Sequence, residues 1–264
     1  MIAKLQPNRV RRTYLGGGRI DAFTGAINCA PPAPAAHTGG AQLVAPDMDG
    51  VPRPEDWLAS TTTAFNGTLE IEGEGLGRLE DGRLVKDVVG TLPILVKLLD
   101  SDERLVIQAH PTVPCAKRLF NSSVGKTECW YFLPGTAPDA CVYLGFKPGI
   151  TRELWERAVL GGSQLVATAA GAINCAPPAA EKTGAINCAP PVRQILGPEL
   201  TDKFAMWRVT NGGRVALPRD RAVAVVTEGA GEVNGLAVKT GDRLVVADER
   251  QLAVSGTVAL VVCA

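Results

Sequence analysis

Short apolar runs punctuated by glycine dominate the last third of the chain. Ala222–Val226, Glu232–Val238, Arg243–Val246, Gln251–Val254 and Val258–Val262 are rich in valine and other β-formers, and Gly229–Gly231, Asn234-Gly235, Gly241-Asp242 and Ser255-Gly256 punctuate them. Runs of this length with turn residues at this spacing predict the strands of a sandwich or barrel. Upstream, Pro93–Leu99, Arg104–Ala109, Cys129–Leu133 and Cys141–Phe146 predict a second β-rich block. Helical patterning is confined to Pro54–Ser60, Ala116–Asn121 and Thr151–Leu160. In the last of these, Thr151 is placed to cap and Glu153 puts negative charge in the first turn.

Composition agrees with many short elements. Glycine (29) and proline (19) are plentiful among 264 residues while aromatic residues make up only 5%, which favours turns over long helices. With 46% hydrophobic residues the chain can build a substantial core. The expected fold is mainly β, in two units at 1–195 and 196–264, with segments 25–50 and 161–194 atypical of either. Basic and acidic side chains balance at 27 each, so no charge footprint for nucleic acid or an anionic membrane exists. The longest apolar run, Leu92 to Leu99, is broken by Pro93 and Lys97 and falls far short of the roughly 20 residues of a membrane span. The basic start is followed by Gly16–Gly18 rather than an apolar stretch, which predicts a cytoplasmic protein. Seven cysteines form no CxxC pair, so reduced thiols are expected.

One octapeptide, GAINCAPP, occurs three times, at Gly25–Pro32, Gly171–Pro178 and Gly184–Pro191. Structural repeats are longer and drift in sequence, so these copies do not describe a solenoid. Each ends in two prolines, which predicts loops. They read as connectors standing where longer loops would be. A cysteine-bearing binding motif is the alternative, although Cys175 and Cys188 lie 13 apart without a nearby histidine, poor spacing for a metal.

The segment Leu92–Leu133 carries the candidate chemistry. Gln108 and His110 are one residue apart on a predicted strand, so a carboxamide oxygen and an imidazole project from the same face. Glu128 follows a Gly-Lys-Thr turn at the start of the next predicted strand. One nitrogen and two oxygens suit zinc or a related divalent metal. By spacing alone, a satisfied core imidazole is the competing reading of His110.

At these residues the sequence resembles a family, the short bacterial form of type I mannose-6-phosphate isomerase, zinc enzymes built on cupin-type β-barrels. The stretches that carry the resemblance include Pro7–Val10, Thr13–Gly17, Pro54–Ser60 (PEDWLAS), Leu95–Leu99 (LVKLL), Ile107–Pro111 (IQAHP), Gly125–Glu128 (GKTE) with Trp130-Tyr131, Val142–Lys147, Gly149–Glu153 and Gly197–Phe204. They cover most of 1–24, 52–160 and 195–264. The resemblance implies cupin-like barrel or jelly-roll units and one Zn2+ per chain, held in part by Gln108, His110 and Glu128. It places Lys126 in the active site and Lys97 where it meets the phosphate of a sugar-phosphate substrate. These implications are chemically coherent. Aldose–ketose isomerisation moves a proton between C1 and C2, a metal stabilises the charge that develops on the sugar oxygens, and an ammonium suits a dianionic phosphate.

One departure from the family stands out. The resemblance calls for a fourth ligand, a histidine roughly 55 to 60 residues beyond Glu128 in a Pro-Ala-Gly-x-Pro-His turn, followed by a catalytic arginine. Here that distance falls among the two later octapeptides, where there is no histidine. The only other histidine, His37, lies in an Ala/Pro/Gly-rich stretch without motif support. The sequence therefore predicts an isomerase with an incomplete metal shell, or a catalytically silent sugar-phosphate or metal-binding relative.

Overall fold

The computed structural model describes residues 1–25, 53–65, 71–105, 108–133, 136, 142–143, 146, 148–160, 172–173 and 190–264. Along the chain the elements are β1 (Ile2–Lys4), β2 (Arg9–Val10), α1 (Arg19–Thr24), β3 (Glu55–Leu58), α2 (Val85–Val89), β4 (Val96–Leu99), α3 (Val113–Phe120), β5 (Val142–Tyr143), α4 (Arg152–Leu160) and β6 (Ala172–Ile173). There follow β7 (Val192–Leu196), β8 (Met206–Thr210), β9 (Arg214–Ala216), β10 (Arg221–Val233), β11 (Leu236–Lys239), β12 (Arg243–Ala247) and β13 (Gln251–Cys263). The architecture is mainly β, as the punctuation predicts. Among the described residues no helix is long and apolar enough to cross a membrane.

The chain groups into two units, and the grouping is not linear. One combines Met1–Arg104 with Pro190–Ala264; the other is Leu105–Ala189. This differs from a division at 195 and 196. The reason is in the pairing: β1 hydrogen-bonds antiparallel to β12, with Ile2 opposite Val246 and Lys4 opposite Leu244, which commits the start of the chain to the C-terminal sheet. That sheet has eight strands in the order β1-β12-β10-β13-β8-β7, with β11 added on β10 and β9 on β13. Its core holds Val209, Ala224, Val226, Leu244, Val246, Leu252, Leu260 and Val262. The alternate residues Val223, Val245 and Val261 are buried too, so the central strands read as unbroken apolar runs.

Two glycine-marked turns expected from sequence are strand interior instead. β10 and β13 run 13 residues each and pair straight through them, with Ala230 opposite Thr257 and Gly231 opposite Gly256. A Cβ on Gly256 would lie 2.7 Å from the Gly231 Cα, and Gly256 has φ of +89°. The glycines are there for close backbone approach, not for chain reversal. Asn234-Gly235 is a true hairpin turn between β10 and β11, with φ of 45° and 84° as a type I′ turn requires.

Pro54–Ser60 is the second correction. Its residues Glu55–Leu58 form β3, paired with β2 on one side and β4 on the other, and all four are buried. The run is too short to hold a helix against two available ladders, and Ala59 at φ 50° leaves helical geometry. The expected helices Ala116–Asn121 and Thr151–Leu160 appear as α3 and α4, with Asn121 ending α3 at φ 53° and the Leu154 amide donating to Thr151 Oγ1 over 3.3 Å. Neither Cys129–Leu133 nor the described part of Arg104–Ala109 carries a strand, because among the described residues no ladder forms there. Of the octapeptides, Ala172-Ile173 pairs with β5, so that copy is not wholly loop. Most of the remaining repeat sequence, and His37, lies outside the described residues.

Candidate functional site

In the second unit, the Lys126 amide donates to the Pro111 carbonyl over 2.9 Å, tying the segment after His110 to the GKTE turn. Gly125 makes that approach possible. A Cβ there would sit 2.6 Å from the Pro111 oxygen and 2.9 Å from the Val113 nitrogen. The turn needs glycine for space.

This crossing brings together all four residues that the sequence nominates in this unit. Glu128 Oε2 lies 3.8 Å from His110 Nδ1 and 3.1 Å from Lys126 Nζ. Lys126 Nζ also donates to Gln108 Oε1 over 3.0 Å. Gln108 and His110 are exposed and Glu128 is half-buried, so the cluster is open to solvent. The arrangement arises without the strands that sequence reasoning invoked. Two donors about 2.1 Å from one zinc at a tetrahedral angle stand roughly 3.4 Å apart, close to the His110–Glu128 separation. The donor types, one imidazole, one carboxylate and one carboxamide, fit a divalent metal with three protein ligands. Among the described residues no three His, Cys, Asp or Glu side chains group as ligands, since the third donor here is a carboxamide. Cys129, beside Glu128, has its thiol pushed up by burial first and by the Glu128 charge second, which keeps it protonated. Cys115, Cys129 and Cys263 are not in disulfides.

Lys97 sits in the first unit, on β4 opposite Trp57 of β3. Its ammonium meets the buried Glu55 carboxylate, with Nζ 3.3 Å from Oε1. Glu55 also accepts from the Tyr14 hydroxyl at 2.5 Å and from Trp57 Nε1 at 2.7 Å, and Arg12 lies 3.0 Å from Oε2. Sequence reasoning missed this group because it placed Glu55 on a helix. Read as a strand, EDWL puts Glu55 and Trp57 on one face and Asp56 on the other, which is the signal that finds it.

Burial raises the Glu55 carboxyl pKa, but hydrogen bonds from Trp57 and Tyr14 and the charges of Lys97 and Arg12 outweigh it and hold the group below the usual range. A depressed folded-state pKa stabilises the protein above the unfolded carboxylate pKa, and that stabilisation is lost as pH falls through the folded value. Glu55→Gln is therefore expected to flatten the acid limb of the stability curve. Urea midpoints measured between about pH 7 and pH 3 check this; an unchanged acid limb refutes it.

No family model matches the chain. Over 69 residues, 26% of the chain, it is 41% identical to the probable mannose-6-phosphate isomerase GmuF of Bacillus subtilis. Over 62 residues, 24% of the chain, it is 46% identical to the mannose-6-phosphate isomerase ManA of the same organism. These matches span about a fifth of each relative, 22% and 19% of their lengths. The crystal structure of the mannose 6-phosphate isomerase from Bacillus subtilis superposes with a TM-score of 0.59 over 100% of this chain and 99% of that one, at 14% identity. Fold and sheet topology together thus define a mainly β protein built on antiparallel sheets. Its fold is that of the mannose 6-phosphate isomerase from Bacillus subtilis.

Proposed function

We propose that the chain is an aldose–ketose isomerase of the mannose-6-phosphate type, interconverting mannose 6-phosphate and fructose 6-phosphate with one zinc ion, in the cytoplasm. The observation that carries the reading is the meeting of Gln108, His110, Lys126 and Glu128 at one open cluster. In this reading Gln108, His110 and Glu128 hold the metal. Zinc, when bound, polarises the sugar oxygens at the carbons between which the proton moves. Lys126 donates hydrogen bonds to an oxygen of the same sugar. Lys97 meets the phosphate.

A second reading has its own support. The chain contains two histidines, and the one besides His110 is His37, so the fourth ligand of the related enzymes has no counterpart in their motif. A three-ligand ion is loosely held, and loss of a ligand or of its supporting groups typically costs about 10- to 100-fold in metal affinity or activity. A missing arginine beside a developing oxyanion costs roughly 100- to 1,000-fold more. The purified protein is therefore expected to isomerise mannose 6-phosphate only weakly, in a coupled assay that detects fructose 6-phosphate. Replacing Gly171–Pro191 by a native-length segment bearing the missing histidine and arginine should restore turnover. Ordinary turnover of the unaltered chain, abolished by a chelator and by Glu128→Ala, would mean that the missing ligand comes from elsewhere. Zinc binding without any isomerisation, even after that replacement, favours the silent binding protein.

A further inference from the structure

We propose that Arg193 and Arg208 form a two-armed clamp for a small phosphate-class oxyanion on one face of the eight-stranded sheet, with Glu228 as the loose internal counter-ion that such a ligand displaces. The proposal is independent of the isomerase reading and uses none of its residues.

Sheet register brings the two arginines together. Arg193 on β7 stands directly opposite Arg208 on β8, so both side chains leave the same face. Trp207 and Val209, the neighbours of Arg208 along β8, belong to the main core, which puts the arginine pair on the face opposite that core. Like charges directly opposite each other on adjacent strands destabilise the pairing, and an anion set between them relieves it. The sheet itself supplies little relief. On β13 the partners along this face are Val261, opposite Arg208, and Ala259, opposite Thr210, and neither carries charge. Arg193 is exposed on the strand that ends the sheet and makes no hydrogen bond or ion pair among the described residues.

A bulge delivers the carboxylate that reaches Arg208. The register of β10 shifts between Val226 and Glu228, so that Glu228, and not Thr227, stands opposite Ala259. Thr227 is buried, its hydroxyl donating to the Ala259 carbonyl over 3.1 Å. Glu228 Oε2 then lies 3.8 Å from Arg208 Nη2, with side chains 50% and 34% exposed. That separation exceeds the roughly 2.7–2.9 Å of a charge-assisted hydrogen bond, so the contact is weak and open to competition. Two guanidinium charges thus share one distant carboxylate. A carboxylate has two oxygens and one charge, enough for a single fork. A phosphate monoester has three acceptor oxygens and close to two charges, enough for a planar, two-pronged contact with each arm.

Titration of the full chain with inorganic phosphate, and separately with glycerol 3-phosphate, tests the clamp at the residues themselves when the arginine Nε–H resonances are followed by NMR at constant, low ionic strength. Arg193→Gln and Arg208→Gln assign the two resonances, and Arg208→Lys takes the place of Arg208→Gln if circular dichroism shows the latter unfolded. Both resonances are expected to move along one binding curve, and chloride at the same ionic strength should move neither. Arg193→Gln should weaken the binding read at Arg208 by about two- to fivefold, the scale of one exposed ion pair, and Arg193→Lys by less, since it keeps the charge but not the fork. Glu228→Gln is diagnostic by its sign: with the internal competitor gone, binding should tighten by a similar factor. Tighter binding of the ester supports the clamp and assigns it to phosphate esters; tighter binding of the free anion supports it and assigns it to inorganic phosphate. Resonances that stay in place or follow separate curves overturn the clamp, as does unchanged binding at Arg208 in Arg193→Gln. Unchanged or weaker binding in Glu228→Gln overturns the part given to Glu228.

Discussion

Arg243→Met is expected to lower stability by about 3–5 kcal/mol, enough to shift the thermal midpoint by roughly 10 °C in a chain of this size. The Arg243 guanidinium bonds the Asp56 carboxylate, and Asp56 is fully buried. Removing the arginine strands that charge away from water. The pair also joins β3 of the three-stranded sheet to β12 of the eight-stranded sheet, 187 residues apart in sequence. Asp56 gains one more bond, from the Asn8 amide at 2.8 Å, which does not neutralise it. The Arg243 Nε is buried without a partner, so the pair is not ideally satisfied. Replacing both members, Asp56→Leu with Arg243→Met, should therefore recover part of the loss. Urea denaturation of the two single variants and the double variant closes the cycle; a loss under about 1 kcal/mol for Arg243→Met would show that water reaches Asp56.

The second large effect concerns metal. Glu128→Ala is expected to weaken zinc binding by about 100-fold or more, read by competition with a coloured chelator. Of the three donors, Glu128 alone is an anion. Without it, a dication would meet two neutral ligands beside the Lys126 ammonium, which lies 3.0 Å from the Gln108 oxygen. Gln108→Ala removes a neutral oxygen and should cost less. Equal losses for the two variants would argue against Glu128 as the principal ligand, and no loss for either would remove the cluster from consideration as a metal site.

What could be read from the sequence followed from local chemistry. Asn234-Gly235 announces its hairpin because the type I′ turn needs positive φ at both positions, and α3 and α4 fall where periodicity and a capping threonine place them. Gly231 and Gly256 misled for a nonlocal reason. Glycine marks a turn or a close approach equally well, and only the pairing of β10 with β13 decides which. Glu55–Leu58 misled because four residues carry too little periodicity to outweigh their neighbours. The Gln108, His110, Lys126 and Glu128 group was nominated by motif, yet what gathers it is the Gly125 turn crossing Pro111, not a shared strand face. The surroundings of Glu55 could not be read at all until β3 was recognised as a strand.

The pairing of β1 with β12 sets a timetable for synthesis. Ile2–Lys4 is made well before its partner Arg243–Ala247, which follows some 240 residues later, on the order of 10–50 s at ordinary translation rates of about 5–20 residues per second. Throughout that interval the first 104 residues lack the sheet that Pro190–Ala264 supplies, and Leu105–Ala189 is made in full between the two halves. The eight-stranded sheet is thus a closing event, completed only once β13 has been made. Residues 105–189 enter as an insertion whose length matters little to that closure, because the entropy of joining two chain ends rises only slowly with the loop between them.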